Sequence, residues 1–256
     1  MKYVYGPVAS WRLGRSLGID LLPETKVCTF NCIYCQVGKD IEYTLQRQVF
    51  VPTQEVVKEL AQIPDVPIDY VTFSGKGEPT LAANLGEVIN AAKNKISKPV
   101  AVLTNSSLMF DPQVRRELSL ADKVIAKLDA PNEEIFQLIN QPIENLNFAR
   151  VFEGIKAFNQ DYPGKLSLQI MFLPQNKNCA SQLAKLAKEI DPVEVEINTP
   201  TRPTPQGDKT LVLSKEEIDS IKNMFTPLKV YSVYDKKRSR VEPINKTDLE
   251  KRRPLK

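Results

Sequence analysis

Residues 28–38 read CTFNCIYCQVG and place three of the chain's four cysteines, Cys28, Cys32 and Cys35, within eight positions. A Cys-x3-Cys-x2-Cys spacing gathers three thiolates on one short loop, and thiolates are the ligands of iron–sulfur clusters. Such a loop can hold three corners of a [4Fe–4S] cube and leave the fourth iron without a protein ligand. An open coordination position is what separates a catalytic metal centre from a structural one. The alternatives each need more than the loop supplies. A structural zinc site or a fully ligated electron-transfer cluster would need Cys179 as fourth ligand, because the chain has no histidine to substitute. A disulfide within the three would leave an odd thiol. Inert buried cysteines sit poorly in a loop of Asn, Gln and Thr.

The missing histidine also removes imidazole acid–base catalysis and the Ser–His and Cys–His nucleophile pairs. With 256 residues, 42% apolar and 26% charged, the chain has the composition of an ordinary globular protein. No apolar run approaches the ~18 residues that a membrane span needs. The N-terminal MKYVYGPVASWR lacks the apolar centre of a signal peptide. The expectation is a cytoplasmic protein without a membrane partner.

Elements able to position the loop recur along the chain. Apolar runs at 16–22, 70–74, 99–104, 123–128, 166–173 and 193–198 read as strands. They are nearly continuous in Val, Ile, Leu and Phe, as in parallel strands buried on both faces. Between them lie helical signals. Leu85, Val88, Ile89, Ala92 and Ile96 form a stripe, Asp111-Pro112 reads as an N-cap with proline following, and Asn132 and Asn178 read as caps. Leu183, Leu186, Ala187 and Ile190 make another stripe, and Ser214 with Glu217 reads as a capping box. Strand and helix alternate about six times, which predicts an α/β fold with a parallel sheet, either doubly wound or a barrel.

In parallel barrels, functional groups collect at the C-terminal strand ends. Polar residues follow each predicted strand. Gly75-Lys76-Gly77-Glu78-Pro79 comes first, where glycine lets backbone approach a ligand and proline fixes the turn. Asn105-Ser106-Ser107, Lys127 to Asp129-Ala130, Pro174-Gln175-Asn176 and Thr199 to Arg202 follow the later strands. Any one of these is also explained as a helix cap or an ordinary turn.

The cysteine loop, with Tyr34 just before its last cysteine, resembles the defining motif of the radical S-adenosylmethionine (radical SAM) enzymes. Gly75 to Pro79 resembles that superfamily's Gly-Gly-Glu-Pro motif, with Lys76 in place of its first glycine. The resemblance implies a [4Fe–4S] cluster on Cys28, Cys32 and Cys35, with S-adenosylmethionine chelating the fourth iron through its amino and carboxylate groups. It implies reductive cleavage to methionine and a 5′-deoxyadenosyl radical, the electron coming from an external donor such as flavodoxin or ferredoxin. It implies further that Tyr34 packs near the adenine, that Gly77, Glu78 and Pro79 position the methionyl group, and that Asn105, Ser106, Asp129 and Asn198 contact cofactor. Asn198 and Arg202 are equally candidates to face substrate.

The run Tyr5 to Asp20, Leu128-Asp129-Ala130, Asn140-Gln141-Pro142 and Asn198 to Pro203 are similar to compact radical SAM proteins related to wyosine synthetases. That likeness covers roughly residues 3 to 250 and implies a partial (β/α)6 TIM-like barrel. It leaves the substrate open among RNA, a peptide and a small metabolite. The chain has neither the flavin domain nor the extra cysteines of the wyosine enzymes themselves, and Cys179 reads as structural.

The expected division is a barrel over 1–235 and a basic tail over 236–256, preceded by one more apolar run at 229–234. From Lys229 onward ten Lys/Arg face four Asp/Glu, a surplus of +6 against +4 for the whole chain. Basic residues with Tyr231 and Tyr234 are what RNA binding needs, while a solvated tail explains the same charge. Arg12 and Arg15, expected near the barrel mouth, offer a site for an anionic substrate. The rival to an oxidoreductase is a non-catalytic RNA-binding module stabilised by zinc or a cluster. It would need Cys179 on the metal, whereas the enzyme needs it elsewhere.

Overall fold

The computed structural model describes residues 1–38, 40–201, 211–235 and 238–244. The six expected strands are present: β2 (Gly14–Ile19), β5 (Tyr70–Phe73), β6 (Val100–Thr104), β7 (Lys123–Lys127), β8 (Leu166–Met171) and β9 (Glu194–Asn198). A short β10 (Val230–Ser232) continues the parallel order, and β1 (Val4–Ser10) pairs with β2 in antiparallel sense at the other edge. Among the described residues the main sheet runs β1-β2-β5-β6-β7-β8-β9-β10. A separate pair, β3 (Lys26–Cys28) and β4 (Ile41–Tyr43), sits in the cysteine region.

Each parallel step crosses over through helix: α1 (Thr53–Leu60), α2 (Leu85–Lys95), α3 (Pro112–Leu118), α4 (Glu133–Asn140) with α5 (Phe148–Asp161), α6 (Ala180–Ile190) and α7 (Lys215–Met224). Six crossovers on a curled, open sheet make the partial (β/α)6 barrel. Asp111 caps α3 through the Gln113 N–H, Asn132 caps α4 through the Ile135 N–H, and Ser214 with Glu217 closes a capping box. Asn178 is a correction. It lies inside a 3-10 turn, Lys177–Cys179, and α6 starts after Cys179 with no side-chain cap. The sequence reading named no stripe or cap for α1 or α5; Asn147 caps α5.

Alternate strand residues face opposite ways. Val71, Phe73, Val100, Val102, Leu168 and Ile197 pack under the helices in one core. The opposite face is not the apolar one that the runs suggested. Ser16 and Thr72 share a hydrogen bond of 2.6 Å there. Lys127, Gln169 and Asn198 line an interior cavity on the same face. The inner face of the barrel therefore mixes these polar groups with apolar ones such as Trp11, Leu103 and Met171.

The β1–β2 turn closes the lumen at the N-terminal ends of the strands. Leu13 packs on Ala101 and Ile125. Arg12 crosses to β9, with Nε 3.4 Å from Glu196 Oε2. Arg15 instead pairs with Asp69, Nη2 to Oδ1 at 2.6 Å, just before β5. Both arginines thus belong to the floor and not to the mouth.

Glu59 of α1 ties the hairpin down, accepting from the backbone N–H groups of Lys2, Tyr3 and Val4 at 2.6, 2.9 and 2.8 Å. Glu59→Gln is expected to speed amide exchange at Tyr3 and Val4 while β6 to β8 keep their protection, because local opening follows local contacts. Unchanged exchange at Val4 would remove Glu59 from this role.

Of the basic tail, 236–237 and 245–256 lie outside the described residues, as does Arg202. The described stretch returns to the barrel: Arg238 donates to Thr201 Oγ1 at 3.3 Å and the Ile244 N–H to the Gly6 carbonyl at 2.6 Å. No helix among the described residues is long and apolar enough to cross a membrane.

Candidate active site

The cysteine loop leaves the C-terminal end of β2, as in the sequence reading, but passes through β3 first. Cys28 is the last residue of β3. Cys32 and Cys35 follow in a turn closed by the Cys35 N–H donating to the Cys32 carbonyl at 2.9 Å. Buried Lys26 clamps both arms, donating to Asn31 Oδ1 and the Gly38 carbonyl, each at 3.0 Å.

The Gly77-Glu78-Pro79 segment braces this loop from behind. Gly77 bridges to Val27, and the Glu78 N–H donates to the Val27 carbonyl at 3.1 Å. A Cβ on Gly77 would overlap that carbonyl oxygen and lie 2.7 Å from its carbon, so only glycine fits. The Glu78 side chain is buried and fully engaged. It accepts from Thr80 N and Oγ1 at 3.1 and 2.7 Å, Thr104 Oγ1 at 2.6 Å and Asn105 N at 2.6 Å. Burial holds its carboxyl above the usual range despite these donors. Pro79 begins the 3-10 turn that follows.

Asn105 passes the brace to the first cysteine. Its Nδ2 lies 2.8 Å from Thr29 Oγ1 and 3.5 Å from Cys28 Sγ. Ser106, at φ 72°, donates through Oγ to the Lys127 carbonyl at 3.0 Å. Asn140 mirrors Asn105 on the second cysteine, with Nδ2 3.5 Å from Cys32 Sγ and 3.0 Å from Asp129 Oδ2.

Asp129 is the hub on this side. Its Oδ2 also accepts from the Tyr34 hydroxyl, and its Oδ1 accepts from the Met171 N–H at 2.8 Å with Lys127 Nζ 3.3 Å away. Lys127 Nζ sits 4.9 Å from the Tyr34 ring centroid. Six of the eight residues expected to touch cofactor, Tyr34, Glu78, Asn105, Ser106, Asp129 and Asn198, are therefore hydrogen-bonded through their side chains within the protein. Bonds of Asn105, Asn140 and Asp129 reach Cys28, Cys32 and Tyr34.

A second clasp comes from Asn140-Gln141-Pro142. Asn31 and Ile33 donate backbone N–H groups to the Gln141 and Ile139 carbonyls at 3.0 Å each, and the Ile143 N–H donates to the Thr29 carbonyl at 2.8 Å. Gln141 turns the chain there at φ 45°.

Burial, with Glu78 adding to it, pushes the Cys28 thiol up to about 12. Burial and Asp129 push Cys32 up to about 11. Such thiols stay protonated until a metal displaces the proton. Sulfur ligands on one loop with amide donors aimed at two of them fit an iron–sulfur cluster, whose sulfurs take such hydrogen bonds. Cys179 stands at the start of α6, packed on the main core, with Glu134 as its charged neighbour.

Beside Cys35 opens a cavity of about 330 Å³ whose lining includes Tyr34, Lys127, Gln169 and Asn198. A neighbouring one of about 240 Å³ reaches Ser74, Gly75 and Lys76. Asn198 and Tyr34 are the candidates that face this space, while Gly77 and Pro79 lie behind it. Sequence reasoning missed Asp20, Asn140 and Gln169. Asp20 accepts from the Lys76 N–H at 3.2 Å and fills the space a Gly75 side chain would need. Asp20 and Asn140 were within the stretches of family likeness; Gln169 had no signal beyond a polar residue in an apolar strand. Of the expected base-stacking tyrosines, Tyr234 donates its hydroxyl to the Leu213 carbonyl at 2.8 Å, and Tyr231 carries Lys229 over its ring.

The chain is similar to known proteins in sequence and in fold. The sequence model of the Radical SAM superfamily matches residues 23–187. UPF0026 protein slr1464 of Synechocystis sp. is 46% identical over 203 residues, 79% of this chain and 77% of that protein. Among solved structures, TYW1 with a lysine–pyruvate adduct superposes with a TM-score of 0.67 at 18% identity, covering 90% of this chain and 79% of TYW1. Streptococcus suis SuiB bound to S-adenosylmethionine superposes with a TM-score of 0.61 at 14% identity over 83% of this chain. The chain spans about half of SuiB, 49% of its length. At these identities both structures share the fold.

Proposed function

We propose, from the premise that this chain belongs to the radical SAM superfamily, that it is an enzyme holding one [4Fe–4S] cluster on Cys28, Cys32 and Cys35 and cleaving S-adenosylmethionine there. When bound, cluster and S-adenosylmethionine supply a 5′-deoxyadenosyl radical that takes hydrogen from substrate, the electron arriving from a flavodoxin- or ferredoxin-type donor.

The observation that carries this reading is the bracing of the cysteine loop. Two carboxamides reach two different ligand sulfurs, and each is fixed by a buried carboxylate, Glu78 through the backbone of Asn105 and Asp129 through the side chain of Asn140. A rigid loop holds its sulfurs ready and costs little reorganisation on binding. Asp129 holds Tyr34 at the cavity, where the ring would pack beside the adenine, and Gly75 and Lys76, which line the neighbouring space, would meet the methionyl end with Gly77 to Pro79 bracing them from behind. Asn198 faces the cavity from β9.

The RNA-binding rival would take Cys179 onto the metal. The position of Cys179 at α6, with Glu134 and not a loop cysteine as its charged neighbour, favours the open fourth iron. The chemistry calls for a reducing cytoplasm.

Anaerobic reconstitution with iron and sulfide, then dithionite and S-adenosylmethionine, tests the proposal through 5′-deoxyadenosine. The expected result is product from the wild type, none from Cys32→Ala, and unchanged iron content in Cys179→Ala. A full cluster that neither cleaves S-adenosylmethionine nor changes its paramagnetic signal with it would overturn the reading.

A further inference from the structure

Gln169 is the polar residue of the barrel interior that the cofactor reading leaves unused. It stands within β8 between the core residues Leu168 and Ile170 and is 6% exposed. Among the described residues its carboxamide has no hydrogen-bond partner. Nor is it sealed off, in contrast to Arg12 Nε and Glu196 Oε2, which are fully buried without one. Its open surface lies in the cavity of about 330 Å³ beside Cys35, which Gln169 lines. Buried polar groups are normally paired, and this cavity is within the size range of small-molecule sites. An open carboxamide there points to a ligand.

The register of β8 fixes its depth. Asn198 pairs with Met171, and Asp129 holds the Met171 N–H, so the groups assigned to S-adenosylmethionine stand at that level. Gln169 is two residues nearer the floor, about 7 Å at the rise of a strand. Its direct cross-strand neighbours are Lys127 and Glu196. Both are charge-paired already, Lys127 with Asp129 at 3.3 Å, and Glu196 with Arg12 at 3.4 Å and Lys123 at 2.9 Å. Neither takes the amide. What remains for Gln169 is a neutral partner.

A carboxamide presents a donor and an acceptor side by side. Only a group with an N–H next to a C=O on the same edge satisfies both at once. Trp11, Leu103 and Met171 give the same cavity apolar walls that suit a flat ring.

We propose that Gln169 is the specificity-determining residue of the substrate site, and that the substrate is a small neutral molecule carrying a primary carboxamide or a lactam. Gln169 Nε2 donates to its carbonyl while Oε1 accepts from its N–H. That the bound molecule is a substrate rests on the radical SAM reading; its recognition by Gln169 does not.

The test uses the full-length protein with its cluster reconstituted and S-adenosylmethionine in excess, without reductant. The probes are 2-pyridone, a lactam, and 1-methyl-2-pyridone, which keeps the carbonyl and lacks the N–H. Saturation-transfer NMR titrations give both dissociation constants. Wild type is expected to bind 2-pyridone about tenfold more tightly or better, because a site built to bond an N–H rejects the analogue without it. In Gln169→Leu that preference should vanish. A side chain that only shaped the cavity would weaken both probes alike and leave their ratio untouched.

The same ratio in Gln169→Leu and wild type overturns the proposal, as does wild type without a preference. If Gln169→Leu does not fold, Gln169→Met takes its place and the ratio decides in the same way. A preference seen only when S-adenosylmethionine is left out assigns Gln169 to the adenine edge and overturns its role toward substrate. Wild type that forms 5′-deoxyadenosine on reduction but does not prefer 2-pyridone sinks the carboxamide site alone. Wild type that prefers 2-pyridone through Gln169 yet forms no 5′-deoxyadenosine sinks the radical SAM reading alone.

Discussion

Gly77→Ala is expected to lose most of the iron content and to destabilise the protein by about 3 kcal/mol or more, the upper end of overpacking effects. The new Cβ would fall on the Val27 carbonyl oxygen, with the carbonyl carbon 2.7 Å away. Neither partner has room to retreat. Val27 is wholly buried in β3, and its carbonyl already accepts from the Glu78 N–H. The displaced residue stands next to Cys28, so the strain arrives at the first cluster ligand. For a chain of this size the melting temperature should fall by roughly 6–12 °C. Thermal unfolding by circular dichroism and iron analysis after reconstitution check both parts. A variant with wild-type melting and a full iron load would show that Gly77 is a matter of turn preference only.

Asp129→Ala should be the most damaging change outside the cysteine loop, about 3–5 kcal/mol, because it breaks a buried charge network on one side. Four donors lose their acceptor: the Tyr34 hydroxyl, Asn140 Nδ2, the Met171 N–H and Lys127 Nζ. Each is buried or half-buried, and an unpaired buried donor keeps its desolvation cost. Asp129→Asn should fall well short of that loss. Its remaining oxygen still serves the Met171 N–H, and the tyrosine hydroxyl can turn to accept from the new amide. Denaturant unfolding ranks the three proteins, and equilibrium dialysis with S-adenosylmethionine reads the loosening of Tyr34. Affinity should weaken in the same order as stability. An alanine variant that unfolds at the wild-type midpoint would remove Asp129 from the centre of this network.

The strands and the cysteine motif were legible in sequence because both are local signals. Leu166–Met171 and Val100–Thr104 announce themselves by apolar content, and Cys28 to Cys35 by spacing. The lumen was not legible, since a few polar residues such as Thr72 and Gln169 inside apolar strands have no pattern that says which way they point. The antiparallel β1 was hidden because its run, VYGPVAS, contains glycine and proline, which argue against a regular strand. Asn178 read as a cap because an asparagine preceded an apolar stripe; a 3-10 turn took the helix start one residue further on. Glu78 and Asp129 were expected at the site from the sequence, but sequence cannot separate a residue touching a ligand from one that aims its neighbours. That distinction lives in hydrogen bonds spanning 26 residues from Glu78 to Thr104 and 42 from Asp129 to Met171.

The clasp at Gln141 has a consequence for how the protein comes into being. The cysteine loop lies near the start of the chain, yet its shape is held by contacts to Val27's partner at 77, to Asn105, and to Ile139, Asn140, Gln141 and Ile143. A nascent chain that has exposed the three cysteines but not residue 143 has a loop without walls. On the ribosome, a motif synthesised more than a hundred residues ahead of its clasp acquires its form late, and iron meeting it early would meet an unstructured peptide with three free thiols.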